Sequence, residues 1–302
     1  MKEIVETDIP QIRKLLRDVL QISNFKQLKR LGGLTNHTYQ VVLENDQALV
    51  VRLPGEGTED LINRGDEKIS TKLACDLEID AQLLHFGTFG EKITCYIDGA
   101  QTLSAASFSD NDILKKVAEV FRVLHTSGVD THIPFDVFDM AAGYEIIIRD
   151  NCVALFDDYE EVKSQILKIR NYAGSDNIPV VPCHNDPLCE NWVLDKYGKL
   201  YLIDWEYAGM NDGMWDLADV SIEAGLSSAQ DYSMLCYYLG REANPKEITR
   251  FLANKLYLDF LWALWGKARV PFDGEPMEAY AQGRYTRLKE NLDKFLHKFS
   301  VV

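Results

Sequence analysis

The chain has 302 residues, of which 46% are hydrophobic, and it carries a formal net charge of −15. This length exceeds one average domain, and the apolar fraction is sufficient for a sizeable core. The acidic charge and the lack of a Lys/Arg stripe argue against a nucleic-acid partner, because such a surface repels phosphates. An acidic surface mainly favours solubility, and it is also compatible with a cationic small substrate.

No apolar run approaches the roughly 20 residues that span a bilayer, and the first residues lack the apolar core of a signal peptide. The six cysteines, at positions 75, 95, 152, 183, 189 and 236, form no CxxC pair. We therefore expect free thiols, no membrane partner and a cytoplasmic location.

The first hundred residues have the pattern of a β-rich lobe. Short alternating runs separated by turns predict an antiparallel meander: QLKRLGG, HTYQVVLEND, QALVVRLPG, IDAQLLHFG and EKITCYIDG. One amphipathic stretch, TEDLINRGDEKISTKLA, predicts a helix that begins near Thr58. Later apolar spacing predicts helices over 109–127, 155–172, 214–225, 229–240, 245–269 and 276–297. We therefore predict an α+β fold, with a β-rich N-lobe containing one helix over residues 1–97 and a mainly helical C-lobe over 98–302.

The stretch CHNDPLCENW, residues 183–192, sets polar and ionisable groups between two apolar runs. After it, NWVL, DKYGK and LYLIDW have the pattern of two strands around a Gly-containing turn. A hairpin returns its ends to each other. We therefore expect Asn191 beside Asp204, with Asp186 in the loop alongside.

These three side chains suit phosphoryl transfer from ATP. Mg²⁺ prefers oxygen ligands, which makes Asn191 and Asp204 the candidate metal ligands. Asp186 is then free to accept the proton of an attacking hydroxyl, the role of a catalytic base. In the structural alternative, Asp186 and Asn191 make Asx turns and Asp204 caps a strand. The ordered HxDxxxxN spacing, followed by a hairpin that ends in Asp, favours the catalytic interpretation.

ATP also requires a cation near its phosphates. Arg52 ends the run ALVVRLPG, and Glu67 in the following helix is suited to orient it, like the Lys–Glu pair of kinases. An isolated Arg at a strand end is more often a surface residue. The sequence contains no GxGxxG, and LGGLTNHTY offers a Gly pair in a turn whose N–H groups can approach phosphate. We assign Gly33, Thr35 and Asn36 of this turn to the cofactor site.

Four stretches together resemble the choline/ethanolamine kinase family, within the aminoglycoside-phosphotransferase-like fold. They are GGLTNHTY, VVRLPGEGTEDLINRGDE, HNDPLCENW and LYLIDWEYAGMNDGMWDLAD, and the likeness, greatest to the bacterial Lic-type choline kinases, runs from about residue 30 to 290. The resemblance implies a bilobal protein-kinase-like fold, ATP as donor and Mg²⁺ as cofactor. It makes Asp186 the base, Asn191 and Asp204 the metal ligands, and Arg52 with Glu67 the phosphate-clamping pair. Two features depart from common family forms: the loop residues PLCEN, and Arg in place of the kinase Lys.

The C-lobe carries the features that bear on the phosphate acceptor. Trp262 and Trp265 lie at i, i+3 on one helix face, and Tyr280 follows in the sequence. A quaternary ammonium binds aromatic faces through cation–π attraction, and the carboxylate of Glu223 is the candidate for an added charge. A helical aromatic pair is usually core, but the Trp-x-x-Trp and Tyr-Ala-Gln pattern resembles the choline pocket of the family. Tyr207 is the candidate for a further wall.

The sequence thus predicts a choline kinase whose substrates are choline and ATP, with Mg²⁺ as cofactor. Asp216 and His184 are expected to brace and orient its catalytic loop. Ethanolamine kinase is the nearest alternative, followed by kinases for thiamine or an aminoglycoside. A non-catalytic kinase-like module that binds a ligand is the alternative outside enzymes. The oligomeric state stays open.

Overall fold

The computed structural model describes residues 4–31, 36–55, 62–173 and 178–299. The chain divides into two compact units, the first made of Met1–Ser104 with Cys189–Ala208 and the second of Ala105–Leu188 with Gly209–Val302. The hairpin that carries Asp204 therefore belongs to the same unit as the amino-terminal part of the chain. The predicted lobe division at residues 97 and 98 stays a prediction.

The helices and strands of the described residues follow one another in this order: α1 (Asp8–Leu20), β1 (Phe25–Arg30), β2 (His37–Leu43), β3 (Ala48–Leu53), α2 (Arg64–Asp76), β4 (Leu83–Phe86), β5 (Lys92–Cys95), β6 (Gln101–Thr102), α3 (Asn111–His125), α4 (Val137–Asp150), α5 (Tyr159–Ala173), β7 (Val180–Cys183), β8 (Trp192–Leu194), β9 (Leu200–Leu202), β10 (Gly209–Asp212), α6 (Met214–Glu223), α7 (Ser228–Leu239), α8 (Pro245–Asp273) and α9 (Glu275–Phe299). The fold is α+β as predicted, with a β-rich first unit and a mainly helical second unit. None of the described helices combines the length and the apolar character that crossing a membrane requires.

A five-stranded antiparallel sheet forms the centre of the first unit, with its strands in the order β1-β2-β3-β5-β4. Along β2 every second side chain is buried, which is the alternation that a sheet with one covered face requires. The predicted strands are confirmed, although β4 and β5 are shorter than the stretches that indicated them.

Helix α1 is one of two helices that the sequence pattern did not predict, so the described residues of the first unit contain two helices where one was expected. Its apolar residues Ile12, Leu16 and Val19 recur at the helical spacing of three and four residues, so a local signal was present and was missed. Ile12 and Leu16 are almost completely buried and belong to the same core cluster as the sheet residues Tyr39 and Val51. Asp8 adds a polar tie, because it accepts a hydrogen bond from the Tyr39 hydroxyl at 2.5 Å.

Helix α2 begins later than the predicted start near Thr58, a residue that lies outside the described ranges. Its N-cap is Asn63, whose side chain accepts the backbone N–H groups of Gly65 and Asp66 at 2.9 and 3.3 Å. These are the donors that the first turn of a helix cannot satisfy by itself. The cap fixes the first turn, which contains Glu67.

Helix α8 is the central element of the second unit and packs against α4, α5, α6 and α9. Because it has neighbours on several sides, its buried residues are not confined to a single stripe. The predicted helices are confirmed, with ends that move by a few residues. Helix α8 continues through Pro271 to Asp273, past the predicted end at residue 269.

Helix α4 is the second helix that the sequence pattern did not predict. Its isoleucine run, residues 146–148, has β propensity by composition, and packing against α8 overrides that preference. A local signal was present at its start, where Asp136 accepts the backbone N–H groups of Phe138 and Asp139 at 2.8 and 3.0 Å.

Gly266 allows α8 and α9 to approach each other. A Cβ built there would meet Tyr280 Cδ1 at 2.9 Å and Ala281 Cβ at 3.0 Å, whereas one built at Gly283 of α9 would meet nothing within 4 Å. We therefore expect Gly266→Ala to lower stability by about 1–3 kcal/mol through overpacking. The control Gly283→Ala should raise stability by up to about 1 kcal/mol, because Ala is the better helix former. Thermal unfolding checks both, and a Gly266→Ala protein as stable as the wild type would contradict the close approach.

Candidate active site

The loop that carries Asp186 follows β7 and is held by a buried carboxylate. Asp216, in the first turn of α6, accepts the backbone N–H of His184 at 2.9 Å through Oδ2 and that of Asn185 at 2.8 Å through Oδ1. The indole N–H of Trp215 donates to the carbonyl of Asn185 at 3.0 Å. Asp216 has no exposed surface, so these charge-assisted bonds do not compete with water. The hydrogen bonds by which Asp216 was predicted to brace this loop are therefore present, while the catalytic role of the loop stays a prediction.

His125 is a further part of this brace, which no sequence signal identified. Its Nε2 lies 3.0 Å from Oδ2 of Asp216, and its Nδ1 lies 3.0 Å from the hydroxyl of Tyr238. These partners are 91 and 113 residues away in the sequence. His184 acts more locally, since its Nδ1 accepts the backbone N–H of Asp186 at 3.3 Å. This bond agrees with the expected orienting role of His184.

Asp186 lies where the chain makes a tight change of direction. Asn185 before it has φ of +67°, a left-handed conformation that Asn tolerates better than most residues. The backbone N–H of Leu188 donates to the carbonyl of Asp186 at 2.8 Å. Burial, followed by the charge of Asp186 and then by Tyr280, raises the pKa of the Tyr144 hydroxyl. Tyr144 was missed because its helix, α4, was missed.

The predicted hairpin is present, and its register brings Asn191 towards Asp204. Strands β8 and β9 pair antiparallel, with Trp192 opposite Leu202. Just beyond that pair, the backbone N–H of Ile203 donates to the carbonyl of Asn191 at 2.9 Å. Asp204 follows with φ of +73°, an uncommon conformation that clusters at functional sites. The metal-binding role of Asn191 and Asp204, and their relation to Asp186 of the other unit, stay predictions.

Three carboxylates of the first unit form a cluster beyond β9. One oxygen from each of Glu67, Asp204 and Glu206 lies within 4.8 Å of the other two. Sequence reasoning missed Glu206, whose only signal was its place two residues after the candidate metal ligand Asp204. Oxygen donors suit a hard cation such as Mg²⁺. Oδ1 of Asp204 is buried, has no hydrogen-bond partner among the described residues and lies 3.5 Å from Nη1 of Arg52. The oxygen donors of the cluster fit such an ion.

Two buried arginines hold these carboxylates. Nη1 of Arg52 lies 2.6 Å from Glu67 and 3.2 Å from Glu206, and Nη2 donates to the carbonyl of Gly90 at 2.9 Å. Nη1 of Arg64, which sequence reasoning also missed, lies 2.7 Å from Glu67 and 2.8 Å from Glu206. The expected ion pair of Arg52 with Glu67 is therefore present. Its role in clamping phosphate stays a prediction.

The predicted glycine turn is described only at its last member. Asn36 is buried, and its Nδ2 donates to Oε1 of Glu206 at 2.6 Å. Gly33 and Thr35 lie outside the described residues. The contact of Asn36 joins the end of the turn to the carboxylate cluster, while the cofactor-binding role of the three residues stays a prediction.

Trp262, Trp265 and Tyr280 form one aromatic group between α8 and α9. The two indoles meet edge to face at 6.0 Å between centroids, and Trp265 meets Tyr280 edge to face at 5.7 Å. Trp262 is only 5% exposed. The indole N–H of Trp265 is buried and has no hydrogen-bond partner among the described residues. The three rings meet as the sequence suggested, and their role in a choline pocket stays a prediction.

Glu223 ends α6 as one half of an ion pair. Its Oε1 lies 2.5 Å from Nη2 of Arg284, and Nε of the same arginine donates to the hydroxyl of Tyr280 at 3.1 Å. The charge that was expected to attract an ammonium is thus already balanced by a guanidinium that sequence reasoning missed. Tyr207 belongs to the first unit. The substrate roles of Glu223 and Tyr207 stay predictions.

The ion pairs of Glu67 lead to a test by pH. Burial by itself raises the pKa of Glu67, but the charge and hydrogen bond of Arg52, followed by Lys92 and Arg64, outweigh burial and lower it. A carboxyl with a lowered pKa in the folded state contributes stability that is present above its unfolded pKa and is lost as pH falls through its folded pKa. We therefore expect Glu67→Gln to destabilise the protein by about 1–3 kcal/mol at pH 7 and by less in acid.

Urea unfolding of both proteins at pH 7, and at acid pH values where they stay folded, measures this difference. The matched control is Glu161→Gln on α5, whose side chain is exposed. It should change stability by less than about 0.5 kcal/mol at either pH. A loss for Glu67→Gln that is the same at every pH would show that the pairing charge is unimportant.

Comparison with known proteins identifies the family. Residues 26–259 match the model of the choline/ethanolamine kinase family. The protein LicA of Haemophilus influenzae is 30% identical over 278 residues, covering 84% of this chain and 76% of that protein. A probable ethanolamine kinase of Arabidopsis thaliana is 28% identical over 85% of this chain and 78% of its own length.

Solved structures agree with the sequence comparison. The choline kinase LicA from Streptococcus pneumoniae superposes with a TM-score of 0.79 at 29% identity, covering 94% of this chain and 99% of its own. A structure of LicA in complex with AMP gives a TM-score of 0.78 at 28% identity, with coverage of 95% and 98%. Wild-type aminoglycoside 2'-phosphotransferase-IIIa, at 12% identity, shares the fold with a TM-score of 0.66 and coverage of 94% and 98%. The chain belongs to the choline/ethanolamine kinase family and has the kinase-like fold of its relatives, which makes it an ATP-dependent phosphotransferase that acts on an alcohol group.

Proposed function

We propose that this protein is a choline kinase, which transfers the γ-phosphoryl group of ATP to the hydroxyl of choline and yields ADP and phosphocholine. One observation supports choline as the acceptor. Asp186, whose loop is held by Asp216, lies in the same unit as the aromatic group Trp262, Trp265 and Tyr280. Burial, followed by the charges of Glu223 and then of Asp186, raises the pKa of Tyr280 to about 12, and Arg284 opposes this shift. The base and one ring of the aromatic group are therefore within electrostatic range of each other.

In the proposed reaction Asp186 accepts the proton of the choline hydroxyl while the oxygen forms a bond to the γ-phosphorus. The bond from that phosphorus to the β,γ-bridging oxygen breaks, and the electron pair leaves with ADP. The proton then passes from Asp186 to solvent. Asp216 supports this step indirectly, because its bonds to His184 and Asn185 fix the backbone that precedes Asp186.

Asp204 and Glu206, together with Asn191, are the residues that would hold Mg²⁺. When bound, such an ion neutralises charge on the phosphates of ATP. Arg52 and Arg64 keep the carboxylate cluster together, since each pairs with Glu67 and Glu206. Their positive charge also offsets the negative charge of a bound nucleotide.

Ethanolamine is the second candidate acceptor, and one observation favours it. Its ammonium has three N–H donors that require acceptors, whereas a quaternary ammonium donates no conventional hydrogen bond. Neither side-chain oxygen of the buried Asp219 has a hydrogen-bond partner among the described residues. We favour choline because the aromatic group offers ring faces and because the similar LicA structure is that of a choline kinase.

The proposal is tested by measuring ADP formation with ATP, Mg²⁺ and, one at a time, choline, ethanolamine, thiamine and an aminoglycoside. Choline should give the highest kcat/KM. If ADP forms only with ethanolamine, the protein is an ethanolamine kinase and the assignment of choline is wrong. No acceptor-dependent ADP with any of these alcohols would contradict the proposal.

Replacing the base should remove turnover without unfolding the protein. Asp186→Asn keeps the shape of the side chain and leaves the backbone bonds to His184 and Leu188 in place. We expect kcat to fall by about 10²–10⁴-fold, the usual contribution of a positioned acid or base. The control is Asp112→Asn, an exposed carboxylate on α3, which should leave kcat unchanged. Near-normal kcat in a folded Asp186→Asn protein would remove this residue from the mechanism.

Replacing an aromatic ring should weaken choline binding and leave ATP binding alone. Trp265→Leu keeps apolar bulk but loses the π face, so we expect the KM for choline to rise about two- to thirty-fold. The control is Tyr257→Leu on the same helix, whose ring packs against Phe138 at 5.6 Å. It should lower the melting temperature and leave the KM for choline unchanged. If Trp265→Leu also lowers the melting temperature and leaves the KM for choline unchanged, Trp265 is a core residue and its proposed role in binding choline is wrong.

A further inference from the structure

Helix α6 presents three carboxylates along one face. Asp216, Asp219 and Glu223 are spaced three and four residues apart, so they succeed each other by about one helical turn, roughly 5.4 Å along the axis. The first accepts the backbone N–H groups directly before Asp186. The last pairs with Arg284, which also bonds Tyr280 of the aromatic group. Asp219 therefore lies between the loop of the proposed base and the residues next to the aromatic group.

Asp219 differs from its two neighbours in having no hydrogen bond or ion pair with any of the described residues. It is 1% exposed, and neither of its carboxylate oxygens has a hydrogen-bond partner among the described residues. A buried carboxyl group without a partner is costly, and such groups are rare in folded proteins. In contrast, Asp216 accepts two backbone N–H groups and lies 3.0 Å from His125. Asp219 thus has an unmet requirement for a cation or a hydrogen-bond donor.

The nearby arginines are already engaged by other acids. Arg284 lies 2.5 Å from Glu223 and 3.4 Å from Asp259, and Asp259 is held more closely by Arg287 at 2.6 Å. Burial, followed by the charges of Glu223 and Asp186, raises the pKa of Asp219, and Arg284 only partly opposes this. Asp216 acts in the same direction as the other two acids. In the absence of a bound cation, the surroundings of Asp219 therefore contain more negative than positive charge.

We propose that Asp219 is a specificity-determining residue whose charge holds the ammonium group of the substrate. This inference rests on the proposed function, because it places the substrate hydroxyl at Asp186 and the ammonium two carbon atoms away, towards the aromatic group. A cation bound next to Asp219 supplies the positive charge that balances the acids on this face of α6. The aromatic rings then recognise the shape and surface of the ammonium, and Asp219 recognises its charge.

The test separates charge from shape. Choline and its uncharged isostere 3,3-dimethylbutan-1-ol have the same outline, so the ratio of their dissociation constants reports on charge recognition alone. Both constants are measured by calorimetry on the wild type, on Asp219→Asn and on Asp219→Ala, beside choline-dependent ADP formation. The second variant keeps the test usable if the first does not fold. The control is Asp231→Asn, a buried acid on α7 that pairs with Lys255 at 3.1 Å.

We expect each Asp219 variant to bind choline about tenfold or more weakly, the order expected for losing one charge at short range. Binding of the isostere should change by less than about twofold, so the ratio falls. Asp231→Asn should lower the melting temperature and keep the ratio. Equal losses for choline and the isostere, or no loss for choline, would overturn the role of Asp219. If the wild type forms choline-dependent ADP but the ratio is unchanged in the variants, this inference alone is wrong. If the wild type neither binds nor phosphorylates choline, the proposed function is wrong as well.

Discussion

The buried carboxylate of Asp216 is the interaction on which the candidate active site depends. It accepts the two backbone N–H groups that come directly before Asp186, and His125 lies against the same carboxylate. Loop backbone has no sheet or helix partner of its own, so a buried acceptor is the means of fixing it. The position of α6 matters beyond the loop as well, because the face of α6 that carries Asp216 also carries Asp219 and Glu223. One helix therefore fixes the backbone before the proposed base and also carries Asp219, the residue proposed to hold the ammonium of the acceptor.

Each unit contains a cluster of buried charged side chains, and the two clusters differ in how far the acids are paired. In the first unit, Arg52 and Arg64 balance a cluster of carboxylates that is suited to a metal ion and to the phosphates that accompany it. In the second unit, Asp219 is buried without a hydrogen-bond partner among the described residues, which suits a positively charged acceptor. This division agrees with a kinase that joins an anionic donor to a cationic alcohol. The chain as a whole has a net charge of −15, and the buried carboxyl group of Asp219 is a local acidic group of the same sign.

Local sequence signals predicted the parts of the site that depend on local structure. The hairpin placed Asn191 near Asp204, and helical spacing brought Trp262 and Trp265 together. Residues that act through partners distant in the sequence gave no such signal. Those that sequence reasoning missed or left without a role are His125, Tyr144, Arg64, Glu206, Arg284 and Asp219. Each acquires its significance only from tertiary packing, since His125 meets its partner across 91 residues and Arg64 donates to Glu206 across 142. Helix α4 was missed for a related reason, because packing rather than propensity stabilises it, whereas α1 has apolar residues at helical spacing that the prediction overlooked.

The claim that this kinase acts on choline is tested most directly by competition. The wild-type protein is given ATP, Mg²⁺ and equal concentrations of choline and ethanolamine, and the phosphorylated products are quantified by ³¹P NMR. Because both alcohols share one tube, the product ratio equals the ratio of their kcat/KM values at early times. The account predicts phosphocholine in clear excess, formed one for one with ADP. An excess of phosphoethanolamine, or inorganic phosphate as the only product, would contradict it.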